Sequence, residues 1–457
     1  MTTTPAAPSP QNSHPGSGPG RHLGLIVAGA LAVGLVAALL LAAAPFIRPE
    51  ESAVTGAVLL GFALGWALLA LLTIRFTDQP QRWALVPAAV LGLGGLLLVL
   101  VSSPAQQIPN WVWPPLLLVL AVWMAVRVRR QLRSRSGRWL LYPVIALLAI
   151  ASVGGGVESV LGAVEARDHP MAGQLVDVGG HRLHLRCTGA GSPTVVLEAG
   201  GGEMSAVLGW IEPAVALDTR VCVYDRAGRG WSEAADARQD ATQIATDLQT
   251  LLRRADVAGP YVVAGHSFGG LYVQTFAALY PDDVAGMVLI DSTAPASTTP
   301  PDAASSSEGD PYDLLGRVAA LVSASARFGV GRVYALFDYD SLPAASRAEA
   351  RASVAKGGQL GSTVEEYLVA SASMEQAAAL QSLGDKPLMV LAAGSGSSPD
   401  WFTHQEALAA LSTNSVYRIV DGATHASLIS AEKDAAVTAQ AIREVVTSVR
   451  TAAPLTD

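Results

Sequence analysis

Residues 265–269 read Gly-His-Ser-Phe-Gly, a serine enclosed by glycines at G-x-S-x-G spacing. Alone, the match carries little weight in a chain rich in glycine and serine. Its setting carries more, because it follows the β-type run Tyr261, Val262, Val263, Ala264 and precedes a helical pattern from about Gly270. A serine at such a strand-to-helix junction sits on a sharp, strained turn, and small flanking residues tolerate the crowding. Ser267 could then act as a nucleophile, with N–H groups at the helix N-terminus facing a developing oxyanion. The alternative is a serine that only caps the helix. No His, Cys or carboxylate group shows metal-ligand spacing, so neither a metal nor an organic cofactor is expected.

The elements that must hold this turn begin near residue 172. Strands are expected at 174–178, 181–187, 194–198, 220–224, 261–265, 286–291, 387–392 and 415–420, with helices between most of them, including 241–254, 270–280, 404–411 and 432–449. The runs Val195-Val196-Leu197 and Met287-Val288-Leu289-Ile290 are apolar at consecutive positions, as strands buried on both faces of a parallel sheet are. Strand–helix alternation places sites at the C-terminal ends of the strands. Residues 293–384 interrupt it with an acidic Ser/Pro/Ala-rich opening and amphipathic pieces near 312–327 and 363–382. An insertion of that length is a cap or lid rather than a loop.

Over roughly 172–450 the chain resembles the α/β-hydrolase superfamily. The resemblance rests on Gly265–Gly270, on Asp225-Arg226-Ala227-Gly228-Arg229-Gly230-Trp231-Ser232 after the fourth strand, and on Glu198-Ala199-Gly200-Gly201-Gly202 after the third. It implies a mostly parallel eight-stranded sheet with flanking helices and a helical cap. It also implies a Ser-His-Asp triad and an oxyanion hole formed by the N–H groups of Gly201 and Phe268. The family usually opens that loop with His-Gly, and here it reads Ala-Gly. The base should follow the last strand, where His425 stands; His404 is its rival. The family's usual acid position falls in the loop 394–400, which makes Asp400 the favoured acid and Asp291, ending the sixth strand, the alternative. Asp225 reads as a turn-holding residue, and Glu203 and Trp210 as pocket candidates. In this fold Cys187 and Cys222 lie on neighbouring strands. An oxidising compartment would allow a disulfide closing a loop of about 36 residues, worth ~4 kcal/mol in the chain-entropy model; otherwise both are buried thiols.

The first half is different. Apolar residues make up 51% of the 457-residue chain and charged ones 15%, and most of the apolar excess precedes residue 160. After a Pro/Ser/Gly-rich tail at 1–22, expected to be disordered, the region 23–160 holds five apolar stretches, at 23–46, 53–74, 83–102, 109–126 and 139–157. Each approaches the ~20 residues needed to cross a bilayer. With a cytoplasmic N-terminus, Arg21, Arg75, Arg82 and the arginines between 127 and 138 share one side. Positive residues favour the cytoplasm, so five crossings place the C-terminal half outside the cell membrane. A cleaved first segment leaves it on the same face.

The net charge of −8 and the lack of a basic stripe give no reason to expect nucleic acid. The sequence points to hydrolysis of a small-molecule or lipid-like ester or related acyl bond by a chain embedded in the lipid bilayer. Aminopeptidase, thioesterase and C–C hydrolase chemistry use the same triad. The reading from another class is a non-enzymatic membrane sensor or binding protein built on a hydrolase-like domain.

Overall fold

The structure is a computed structural model that describes residues 19–48, 50–100, 109–235, 237–295 and 311–456. Residues 1–18 of the expected tail, the 101–108 loop after the third apolar stretch and the Ser/Pro-rich opening of the cap at 296–310 lie outside the described residues. The chain divides into two units, one holding most of residues 1–153 and the other Gly154–Asp457.

The first unit contains α1 (Pro19–Ala42), α2 (Glu51–Phe76), α3 (Leu85–Leu100), α4 (Pro109–Gln131) and the start of α5 (Arg135–Asp168). All five helices are long and apolar enough to cross a membrane. Small residues let α1 and α2 approach closely. A Cβ on Gly61 would fall 2.2 Å from the Ala38 nitrogen, and one on Gly65 2.9 Å from the Ala30 carbonyl oxygen. Gly61 and Gly65 are four residues apart, one face of a helix, as in small-xxx-small packing.

The second unit is built on an eight-stranded sheet: β1 (Gln174–Asp177), β2 (Arg182–Thr188), β3 (Thr194–Glu198), β4 (Val221–Tyr224), β5 (Tyr261–His266), β6 (Val284–Ile290), β7 (Leu388–Ala393) and β8 (Ser415–Val420). The strand order is β1-β2-β4-β3-β5-β6-β7-β8, with β1 and β2 antiparallel to their neighbours and the rest parallel. Residues of β3, β5, β6 and β7 alternate between two cores. Val195, Leu197, Val262, Ala264, Val288 and Ile290 pack on one face. Val196, Val263, Met287 and Leu289 pack on the other.

Helices α6 (Ile211–Val215) and α16 (Glu432–Thr451) cover the first face, and α7 (Ala241–Arg254), α8 (Phe268–Leu279) and α14 (Pro399–Ala409) the second. Local signals set their starts. Asp240 caps α7 by accepting the Gln243 N–H at 3.0 Å. Ser398 caps α14, whose first residue is Pro399. Between β6 and β7 the cap contributes α9 (Pro311–Ala326), α10 (Val330–Ala335), α11 (Ala344–Val354), α12 (Gly357–Leu368) and α13 (Ala370–Ala377). The single amphipathic piece read at 363–382 is thus two helices, parted at Val369. The short α15 (Ser427–Ser430) leads into α16.

Chain order reverses around β3. The chain leaves it to form β4 on one side and returns to form β5 on the other. Glu198 pairs with Gly265 in that register, so the loop after β3 and the turn after β5 leave the sheet side by side. Open α/β sheets bind ligands at such a crevice.

Candidate active site

Ser267 is the single residue between β5 and α8, with φ 54° and ψ −122°. A non-glycine residue at positive φ is strained and persists only where its surroundings hold it. Here the Ser267 N–H donates to the Ile290 carbonyl at 3.1 Å, and its own carbonyl accepts the Gly270 and Thr293 N–H groups, each at 3.0 Å. The flanking glycines are required by space. A Cβ on Gly265 would meet the Gly269 carbonyl oxygen at 2.4 Å, and one on Gly269 the Glu198 carbonyl oxygen at 2.6 Å. The Ser267 side chain makes no capping bond to α8, which argues against the helix-cap alternative.

His425 lies in the turn after β8, and its Nδ1 is 2.5 Å from Asp291 Oδ2. Asp291 directly follows β6. Its N–H donates to the Leu391 carbonyl at 2.7 Å, and its Oδ1 accepts the Ala393 N–H at 3.0 Å and the Trp401 indole N–H at 2.7 Å. Burial alone would raise this carboxyl's pKa; the bonds from His425, Ala393 and Trp401 outweigh it and hold the group below its ordinary value.

The geometry departs from the sequence preference for Asp400 at this point. Asp400 is exposed in the first turn of α14, and the carboxylate on His425 is Asp291. Capping by Ser398 winds the 394–400 loop directly into a helix, so what it delivers to the site is Trp401, not Asp400. His404 is exposed on the same helix.

His266 binds the two turns together. Its Nε2 donates to the His425 carbonyl at 3.0 Å, its Nδ1 faces Glu203 Oε2 at 3.4 Å, and its ring centroid lies 4.6 Å from that of His425. Burial lowers the His266 pKa, but Glu203 and the His425 carbonyl more than compensate, and it is raised.

In the loop after β3, the Gly200 N–H is taken by Glu203 at 2.8 Å and the Gly202 N–H by Glu366 at 2.6 Å. Among the described residues no partner is seen for the Gly201 or Phe268 N–H. A buried ion network lies beneath. Arg226 reaches Glu198 at 2.5 Å, Glu366 at 2.8 Å and the carbonyls of Ala199 and Gly200 at 2.8 and 2.6 Å. Arg229 meets Glu366 at 2.5 Å, and the Tyr272 hydroxyl donates to it at 2.6 Å. Burial pushes the Glu198 carboxyl up to about 7, against the pull of Arg226.

Glu203 lines a cavity of about 490 Å³ between this loop and the cap, whereas Trp210 is not among its lining residues; its indole N–H donates to the Ser341 carbonyl. Asp225 holds its turn, accepting the N–H groups of Ser205 at 2.8 Å and Trp231 at 3.0 Å, and it also bonds buried His184 at 2.9 Å. Cys187 and Cys222 are disulfide-bonded across paired positions of β2 and β4.

Comparisons with known proteins find relatives over part of the chain. A probable transporter of Hormonema carpetanum is 33% identical over 126 residues, covering 26% of this chain and 18% of that one. The 2-(acetamidomethylene)succinate hydrolase of Mesorhizobium japonicum is 34% identical over 131 residues, 28% and 45% of the two chains. The chain spans less than half the length of the curated relatives it matches. The crystal structure of Cfl2 from Burkholderia cenocepacia is 24% identical and covers 60% of this chain and 95% of its own, with a TM-score of 0.48. The model of the alpha/beta hydrolase fold family matches residues 193–432, more than half of the chain. With its mostly parallel eight-stranded sheet, the turn at Ser267 and that match, the chain belongs to the alpha/beta hydrolase fold family.

Proposed function

We propose that the chain is a membrane-tethered serine hydrolase that cleaves an ester or related acyl bond. The observation that carries this reading is the His425–Asp291 bond, formed on the turn that His266 ties to the strained Ser267 elbow. In the proposed reaction the Ser267 hydroxyl attacks the substrate carbonyl carbon while His425 Nε2 takes its proton. Asp291 fixes the tautomer and stabilises the imidazolium through Nδ1–H. The carbonyl oxygen becomes an oxyanion that accepts the N–H groups of Gly201 and Phe268, each worth ~2.7–4 kcal/mol in the transition state. Collapse of the tetrahedral adduct passes the proton to the leaving alcohol and leaves an acyl-serine. Water, deprotonated by His425, then releases the acid.

In this reading the five apolar helices cross the membrane and the hydrolase unit lies outside the cytoplasm. Arginine placement supports that orientation, as does a disulfide, which persists in oxidising compartments. Fluorophosphonate labelling of the full chain, read by intact mass, tests the chemistry. Label on the parent and none on Ser267→Ala or His425→Ala is expected. A folded parent that stays unlabelled would move the non-enzymatic sensor reading to the front. C-terminal alkaline phosphatase and fluorescent-protein fusions test the orientation, with phosphatase activity expected and cytoplasmic fluorescence opposing it.

A further inference from the structure

The cavity between the loop after β3 and the cap has a one-sided charge. Its lining includes the Gly201 backbone and Ala426, so it opens beside the proposed oxyanion donor and the His425 turn. Among the described residues, the ionisable side chains on its wall are the carboxylates of Glu203 and Asp338 and the phenols of Tyr334, Tyr339 and Tyr367, with no lysine, arginine or histidine.

The nearby cations are engaged in ion pairs. Arg226 and Arg229 pair with Glu198 and Glu366 beneath the loop, and Arg351 pairs with Asp340 at 2.9 Å. His266 offsets part of the Glu203 charge through Oε2. The Asp338 carboxylate itself accepts the Tyr334 hydroxyl at 3.2 Å and the Tyr339 N–H at 2.8 Å, while Arg351 donates to the same residue's carbonyl at 3.1 Å. Tyrosine faces beside a carboxylate attract an ammonium group, by ring quadrupole and by charge. They repel a carboxylate and give a neutral acyl chain no polar reward.

We propose that this cavity selects substrates bearing an ammonium group, with Asp338 and the tyrosines as specificity-determining residues, so that the enzyme hydrolyses cationic rather than anionic esters. The inference rests on Ser267 being the nucleophile next to the cavity.

The test uses the full chain in a non-ionic detergent and three fluorophosphonates that differ only at the far end, which is trimethylammonio, tert-butyl or carboxylate. The cationic probe should label Ser267 about tenfold faster than its neutral isostere, a difference that ring and charge contacts of this kind supply, with the anionic probe slowest. Salt should compress the ratio, and Asp338→Asn should bring it towards one. Equal rates for the cationic and neutral probes overturn the inference and leave the hydrolase reading standing. If no probe labels Ser267, the hydrolase reading fails, and calorimetric titration of tetramethylammonium into the full chain then decides the cavity separately. Saturable binding weakened by Asp338→Asn supports the ammonium site, and absence of binding overturns it.

Discussion

The two halves of the chain use the same apolar residues differently. In the hydrolase unit large side chains are inside: Val195, Val262, Met287, Leu388 and Phe276 are fully buried. In the apolar helices some, such as Leu69, Met124 and Leu141, also pack inside, but many turn outward, with Leu25, Leu39, Leu100, Val119 and Leu147 each more than half exposed, while the α1–α2 contact is made by Gly34, Gly61, Gly65, Ala30 and Ala38. Water drives large apolar groups together, whereas hydrocarbon does not, and helices in lipid are held by close backbone contact instead. The same glycine therefore has a different meaning in each half. Gly269 makes room for the turn at Ser267, and Gly61 for a neighbouring helix.

Substitutions can sharpen or break that contrast. The largest effects belong at the elbow and its partners. Ser267→Ala should abolish labelling, and Asp291→Asn should lower turnover by about 10³–10⁴-fold through the wrong histidine tautomer. Asp400→Asn should change it by less than about twofold. Comparable losses from the two Asn variants in a kcat assay would show the acid assignment to be wrong.

Next in size is the disulfide. Cys187→Ser with Cys222→Ser should cost the hydrolase unit about 2–5 kcal/mol in denaturant unfolding and leave the apolar helices unaffected. Gly61→Leu should destabilise the first unit by about 1–3 kcal/mol through overpacking, with Ser267 labelling retained. A loss of labelling without a thermal shift would mean that the halves are coupled.

The smallest effect is one of pH. The Asp291 carboxyl has a depressed pKa in the folded chain, so its stabilisation is present above the ordinary carboxylate range and is lost as pH falls through the folded value. The stability gap between the parent and Asp291→Asn should narrow on acidification below about pH 4. A gap that widens in unfolding titrations contradicts the bonding seen around Asp291.

What sequence could reveal followed from how local the signals are. Strands β3 and β8 fall at the residues expected for them, and the ends of the other strands lie within two positions of expectation, because unbroken apolar runs between turns leave little choice. Ser267 stands out because its glycines, strand and helix are contiguous, and His425 because it follows the last strand. The carboxylate that meets His425 had no such marker. Asp291 and Asp400 both end plausible segments, and the contacts at Asp291 come from β7, α14 and the turn after β8, about a hundred residues or more along the chain. Glu366 was equally hidden, as one of two adjacent glutamates in an Ala-rich cap with nothing local to link it to Gly202, Arg226 and Arg229. The cue was already present in Arg226 and Arg229, two arginines in a turn that the sheet buries, which require carboxylates from somewhere.

Glu366 belongs to the cap by sequence and to the floor of the candidate site by contact. Buried arginines stripped of their carboxylate would be left as unpaired charges in the interior, a loss of the kind that costs ~3–5 kcal/mol, and the loop amide beside Gly201 would lose its acceptor. The cap is therefore a keystone, and it cannot be exchanged as an accessory. A chimera that grafts a foreign cap to change specificity would have to bring its own Glu366 equivalent. Without one, the graft would damage the floor of the site it was meant to redirect.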